Sequence, residues 1–151
     1  MEIIRLQSGG PERFADWLTL FGEAFDEPET YTGAMPSASY RGRLLARPDF
    51  IALAALKDGK LVGALAAYEL VKFERERSEI YIYDLAVDAA HRRQGIGEAL
   101  VNETRRIAHD VGAWVVYVQA DHVDPPAIAL YTKLGTREEV LHFDMTPLKR
   151  E

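Results

Sequence analysis

The sequence predicts an α/β domain with a mixed, mostly antiparallel central sheet and flanking helices. Three observations carry this expectation. Apolar residues recur at helical spacing in some stretches, and alternate or run continuously in others. Two apolar runs, FIALAALK and KLVGALAAYEL, flank Asp58-Gly59, a hairpin signal that makes them antiparallel strands. A further apolar run, EIYIYDLAV, passes through a glycine-containing basic turn into a helical pattern.

Each element has its own signal. Residues 2 to 7 (EIIRLQ) read as a first strand, followed by a Gly-Gly-Pro turn and a helix in which Phe14, Trp17, Leu18, Phe21 and Phe25 form one core-facing stripe. Asp26 to Tyr40 (DEPETYTGAMPSASY) reads as a long loop, of the kind that often carries function, leading into a short helix from about Ser39 to Ala46. After the hairpin, the charged link KFERERS precedes the strand EIYIYDLAV. Ile96 to Val111 is helical, with Leu100, Val101, Thr104, Ile107, Ala108 and Val111 inward. Glu98 near its start and Arg105, Arg106 and His109 near its end suit the helix dipole, and Gly112 stops it. WVVYVQA is a strand, PPAIALYTKLG a helix opened by proline and closed by glycine, and REEVLHFDM a last strand. The order β α α β β β α β α β contains no repeat or linker, so residues 1–151 are expected to be one domain.

Composition narrows the function. The net charge of −6, from 24 acidic against 18 basic residues, argues against nucleic acid; it suits a cationic small molecule or a basic protein segment, and equally serves solubility alone. No apolar run approaches the ~18 residues of a membrane span, so no membrane partner is expected and the protein is read as soluble and cytoplasmic. The absence of cysteine removes disulfides, thiolate metal sites and a cysteine nucleophile. His142, alternating outward with Val140 and Asp144, lacks companions at metal-ligand spacing. No metal is expected, and a lone strand histidine is more often structural.

The turn RRQGIG, comprising Arg92, Arg93, Gln94, Gly95, Ile96 and Gly97, presents backbone N–H groups, a helix N-terminus and basic side chains to one point. A phosphate or pyrophosphate is the expected occupant. A Walker loop would need GxxxxGK followed by Ser or Thr, which is missing. A dinucleotide fingerprint would need a third glycine where Leu100 stands, although Asp121 could mimic its acid. By pattern alone, a purely structural turn stays open. The preceding strand adds a second feature. Ile80 and Ile82 occupy even positions, whereas Leu85 and Val87 occupy odd ones, so the buried phase slips between them. A bulge at Tyr83 and Asp84 accounts for the slip, keeps a carboxylate off the apolar face, and splays the strand from its neighbour. Glu79 and Tyr81 share the outward side with Tyr83.

Arg92 to Gly97 fits (Arg/Gln)xxGx(Gly/Ala) after an LAV strand end, and AIALYTKLG matches AxxLYxKxGF at the right separation. On these motifs and on the element order, the chain resembles the GCN5-related N-acetyltransferase superfamily. SEIYIYDLAV, HRRQGI, YVQAD, ALYTKLG and REEV followed by HFD are similar to the aminoglycoside 3-N-acetyltransferases of the gentamicin type, enzymes of antibiotic resistance. The resemblance implies acetyl-CoA as cosubstrate, with its pyrophosphate on the backbone of Arg93, Gln94, Gly95, Ile96 and Gly97. It places the pantetheine like an extra strand along Leu85, Ala86 and Val87, beside a bulged strand. It also implies that Tyr131 hydrogen-bonds or protonates the departing thiolate; members of the family are commonly homodimers, and this sequence does not itself reveal an oligomeric state.

Acetyl transfer to an amine needs a neutral nitrogen, a polarised thioester carbonyl and a proton for the thiolate. Asp84 is the expected base, with Glu79 more distant in a water chain. Backbone N–H groups near Asp84 to Ala86 are the expected oxyanion donors. Without cysteine or a GxSxG elbow, direct attack in a ternary complex is expected. A polyamine sugar needs carboxylates around a cleft, and the candidates beside Tyr83 are Asp84, Asp121, Asp124, Glu138 and Glu139, with Glu27 or Glu29 in the long loop. Asp124 serves equally as a cap for the helix it precedes. Two other readings remain: acetylation of another amine, such as a polyamine or peptide amino terminus, and a CoA-binding module without catalysis.

Overall fold

Asp58 and Gly59 both take positive φ, 50° and 76°, the turn handedness that suits the twist of a two-residue hairpin. In the computed structural model, which describes residues 1–151, this turn joins β2 (Phe50–Lys57) to β3 (Lys60–Val71). The chain forms two compact units, Met1–Gln119 and Ala120–Glu151. The first holds a five-stranded sheet in sequential order, completed by β1 (Glu2–Arg5), β4 (Ser78–Val87) and β5 (Ala113–Val118). β1 to β4 are antiparallel and β5 joins β4 in parallel, the mixed, mostly antiparallel sheet expected from the sequence.

Both faces of this sheet are covered, because β2 and β3 are apolar at nearly every position. On one side lies α1 (Phe14–Ala24), where Phe14, Trp17, Leu20 and Phe21 pack with Ala52, Ala54, Ala64, Ala66 and Ala86. The small side chains of the strands leave room for the aromatic rings of the helix. The Trp17 indole N–H donates to the Leu53 carbonyl at 2.9 Å, so this buried polar atom is satisfied within the core. On the other side lies α4 (Ile96–Val111), closed at its end by Gly112 at φ 76°. Gly63 admits it: a Cβ there would stand 2.7 Å from Ile96 Cγ2 and 3.1 Å from Leu100 Cδ1.

The long loop is more ordered than its composition suggests. Pro28–Thr32 forms a short helix, α2, begun by the proline, whose fixed φ suits a first turn. Ser37 then caps α3 (Ala38–Ala46), accepting from the Tyr40 N–H at 3.2 Å. In the second unit, α5 (Pro125–Leu134) opens on Asp124 and Pro125. The expected last strand is not formed, and residues 136–151 carry neither helix nor strand. Its alternation is real, but a strand needs a ladder partner as well as a pattern. Leu141, Phe143 and Met145 are 84%, 72% and 87% exposed. The polar pairs are local, Arg137 with Glu139 at 2.7 Å and His142 with Asp144 at 2.8 Å. No helix is long and apolar enough to cross a membrane.

Candidate active site

Across the β3–β4 ladder, Ala67 faces Ile82 and Ala66 faces Asp84, which leaves Tyr83 as the extra residue. The slip in apolar phase is therefore a bulge at the expected place. Before it, Ile80 and Ile82 are fully buried. After it, Asp84 joins the side of the sheet that carries Ala66 and Ala86, beneath α1, and Tyr83 projects with 63% of its surface exposed. The parallel ladder to β5 ends at Ile82 with Val118. From Asp84 to Val87 the strand pairs with β3 alone, so one backbone edge along Leu85, Ala86 and Val87 is free of a neighbouring strand. A ligand with amide groups can add there as a strand would.

Asp84 is half-buried and accepts a hydrogen bond from the Tyr31 hydroxyl at 2.9 Å. Burial pushes its carboxyl above the usual range, the Tyr31 hydrogen bond opposes that rise, and the charge of Glu27 adds to it. Tyr31 comes from α2 and Glu27 stands immediately before that helix. Nothing in the sequence signalled Tyr31, because its partner lies 53 residues away. Tyrosine rings continue from Asp84 along the sheet. Tyr83 lies 6.1 Å from Tyr68 and 5.8 Å from Tyr81 between centroids, and Tyr81 stacks on Tyr117 at 4.7 Å. The Tyr81 hydroxyl donates to Gln119 Oε1 at 2.8 Å. Burial raises the hydroxyl pKa of Tyr68, Tyr81 and Tyr117, so these groups stay protonated donors at neutral pH. Carboxylates beside aromatic faces are a surface suited to ammonium groups. Glu79, by contrast, is ion-paired with Lys72 at 3.0 Å. It lies five residues from Asp84, roughly 15 Å along an extended strand.

The turn RRQGIG has the backbone of an anion cradle. Arg93 has φ 61° and Gly95 has φ 77°, and Gly95 is the N-cap of α4 without any side-chain cap. The first helical bond runs from the Ala99 N–H to the Gly95 carbonyl at 3.0 Å, so the N–H groups of Ile96, Gly97 and Glu98 precede the intrahelical pattern. No atom lies within 4 Å of where a Gly95 Cβ would stand, so an anion has open access to the backbone. Arg92, Arg93 and Gln94 are exposed at the turn. Lys57, at the end of β2, donates to Gln94 Oε1 at 3.0 Å and adds a cation that the sequence reading missed. His91 Nδ1 and Asp88 Oδ2, 2.6 Å apart, brace the chain just before it. These donors fit a pyrophosphate.

The remaining candidates lie in the second unit. Tyr131 is partly buried on α5, and its carbonyl accepts from the Gly135 N–H at 2.8 Å. Asp121, Asp124, Glu138 and Glu139 are exposed. Asp124 Oδ1 accepts from the Ala127 N–H at 3.3 Å, which forms the expected cap of α5. Glu139 is engaged by Arg137. Thus Tyr83, Asp84, the open edge of β4 and the RRQGIG turn share the first unit, whereas Tyr131 and the later acids belong to the second.

The profile of the Acetyltransferase (GNAT) family matches residues 13–136. Among curated proteins, N-acetyltransferase 8 of Homo sapiens is 31% identical over 84 residues, which cover 56% of this chain and 37% of that protein. Streptothricin acetyltransferase of Streptomyces lavendulae is 30% identical over 73 residues, 48% of this chain and 39% of that protein. The chain thus spans less than two fifths of these curated relatives. Among solved structures, an aminoglycoside acetyltransferase from an uncultured soil metagenomic sample is 55% identical, with 97% of each chain covered and a TM-score of 0.94. Another from such a sample, in complex with sisomicin, is 34% identical, covering 97% of this chain and 95% of that one, with a TM-score of 0.88.

Proposed function

Because the chain belongs to the GNAT acetyltransferase family, we propose that it transfers an acetyl group from acetyl-CoA to the 3-amino group of an aminoglycoside, with residues 1–151 acting as one catalytic domain. The bulge that brings Asp84 beside Glu27 and the tyrosine row carries this reading, since two carboxylates and aromatic faces gathered there suit a cationic acceptor. The 55% identity to an aminoglycoside acetyltransferase over nearly the whole chain supports the same substrate class.

Acetyl-CoA supplies an acetyl thioester when bound. The N–H groups of Arg93, Gln94, Gly95, Ile96 and Gly97, with Arg92 and Lys57 nearby, hold its pyrophosphate. The free edge at Leu85, Ala86 and Val87 pairs with its amide-bearing arm. Asp84 accepts a proton from the acceptor nitrogen, and burial, which raises its pKa, makes it a stronger base than an exposed carboxylate. Glu79, held by Lys72, stands too far along β4 to touch the same nitrogen and is at most the outer end of a water chain. Backbone N–H groups from Asp84 to Ala86 stabilise the oxyanion, and the Tyr131 hydroxyl donates to the departing thiolate. Attack is direct, in a ternary complex. Tyr83, Asp84, Asp121, Asp124, Glu138 and Glu139 contact the acceptor, with Asp124 also capping α5 through Oδ1. The reading assigns the enzyme to the cytoplasm and to antibiotic resistance.

Purified protein given acetyl-CoA and gentamicin should release free thiol, and NMR of the product should show acetylation at the 3-amino group. Absence of thiol release with every aminoglycoside tried sinks the reading. Comparable rates with polyamines or peptide amino termini shift it to another amine, and acetyl-CoA binding without turnover of any amine reduces it to a binding module. A homodimer belongs to the same reading, favoured by the exposed apolar row of Val140, Leu141, Phe143, Met145 and Leu148. Sedimentation at micromolar concentration should give twice the chain mass.

A further inference from the structure

Tyr31 reaches Asp84 through three contacts that place it with unusual definition for a residue on a five-residue helix. Its ring stacks on Phe21, with centroids 5.6 Å apart and planes at 24°, and lies 5.8 Å from Phe25. Gly22 supplies the second contact. A Cβ at that position would meet Pro28 Cα at 3.2 Å and Tyr31 Cβ at 3.5 Å, so only the missing side chain lets α2 lie directly on α1. The third is the Glu27 N–H, which donates to the Gly22 carbonyl at 2.9 Å and ties the start of α2 to the same notch. A helix this short has no stability of its own. Its position is set by these contacts.

We propose that Tyr31 is a positioning residue for acetyl transfer, whose hydroxyl holds Asp84 Oδ2 and so orients the carboxylate toward the acceptor amine. The inference rests on Asp84 being the base. The terminal torsion of an aspartate is broad, so a carboxylate without a fixed partner does not hold one orientation. One hydrogen bond at Oδ2 supplies that restraint and leaves acceptor capacity for the amine, because a carboxylate offers about four lone-pair sites. The groups around Asp84 divide clearly. Burial raises the carboxyl pKa, the Tyr31 hydrogen bond lowers it, and Glu27, ahead of α2, adds a smaller rise. Tyr68 on β3, whose hydroxyl pKa is raised by burial and also by Asp84, is a protonated neighbour. Burial and the adjacent Asp84 push the Tyr31 hydroxyl far above its usual range, so it remains a donor throughout the working pH. Tyr31 therefore does two things at once, fixing Oδ2 and favouring the ionised form of the base.

The test is the pH profile of kcat/KM for Tyr31→Phe, which keeps the ring against Phe21 and Phe25 and removes only the hydroxyl. The expected result is a fall in kcat/KM for the acceptor of roughly tenfold, an acid limb moved to higher pH, and a KM for acetyl-CoA within about twofold of the parent. A role confined to packing would leave the acid limb where it is. Gly22→Ala is the second variant: it keeps the hydroxyl but displaces α2, and should move the limb in the same direction by less. Superimposable profiles for the parent and both variants overturn the inference. Asp84→Asn separates the two levels. If it retains full activity, the assignment of Asp84 as base falls; if it is inactive while Tyr31→Phe matches the parent, only the role of Tyr31 falls.

Discussion

Replacing Gly63 by alanine should loosen α4 from the sheet and weaken acetyl-CoA binding at a distance from the turn itself. The added Cβ would lie 2.7 Å from Ile96 Cγ2, 3.1 Å from Leu100 Cδ1 and 3.2 Å from Ala55 Cβ. Carbon atoms rest at about 3.5–4.0 Å, so Ile96 would have to retreat by roughly 1 Å. Its side chain is β-branched and stiff at χ1, and Cγ2 cannot swing aside without carrying the backbone. Ile96 is also the first residue of α4, so its movement displaces the N–H groups of the anion cradle. Overpacking of this kind costs about 1–3 kcal/mol. The reduced freedom of the unfolded chain returns about 0.4–1 kcal/mol. The net loss is then centred on about 1.3 kcal/mol, or a fall of roughly 3–5 °C in Tm for a chain of this size. Thermal unfolding by circular dichroism reads the first quantity, and the KM for acetyl-CoA, expected to rise more than that for the acceptor, reads the second. An unchanged or higher Tm with both KM values unaltered would refute the close docking of α4 on β3.

Gly95→Ala isolates backbone strain from packing, since nothing lies within 4 Å of the new Cβ but φ is 77°. It should cost about 1–2 kcal/mol in stability, and raise the KM for acetyl-CoA where a packing-neutral surface change would not. Trp17→Phe leaves the Leu53 carbonyl without its indole donor, and should lower stability by about 1–3 kcal/mol in urea titrations without altering either KM. Asp84→Asn should lose acetyl transfer yet gain stability at neutral pH. Burial makes the folded protein bind the Asp84 proton more tightly than the unfolded chain does, so the contribution of this group is favourable below the unfolded pKa of about 3.9 and is lost as pH rises through the higher folded value. The variant should therefore be the more stable protein at pH 7 and equal to the parent near pH 3; a less stable variant at pH 7 would show that the Tyr31 hydrogen bond outweighs burial.

The parts of the fold legible in the sequence were those whose cause is local. Asp58-Gly59 demanded a tight turn, Gly95 and Gly112 bounded a helix whose inward residues repeat at helical spacing, and all three stand where they were expected. The bulge was legible for a less direct reason: Ile80 and Ile82 cannot share a buried face with Leu85 and Val87 unless one residue is skipped. The last strand failed on the same ground that makes patterns informative. Alternation over residues 137–145 describes what a strand would bury, but pairing requires a neighbour that no local pattern contains. Pro28–Thr32 was missed because its helix is held by a notch at Gly22 and not by its own propensity. Asp124 carried two signals of equal weight, and the Ala127 N–H supplies the partner for the capping one.

The sequence by itself determined the α/β class, the glycine turn that opens α4 and the bulge, because each follows from residues within a few positions of one another. Tertiary structure decided what surrounds Asp84. The parting of β4 from β5 after Ile82, the approach of Glu27 and the hydrogen bond from Tyr31 depend on how α1, α2 and the sheet pack. Contacts between residues 53 positions apart arise from packing, and only the folded chain brings such groups within 2.9 Å.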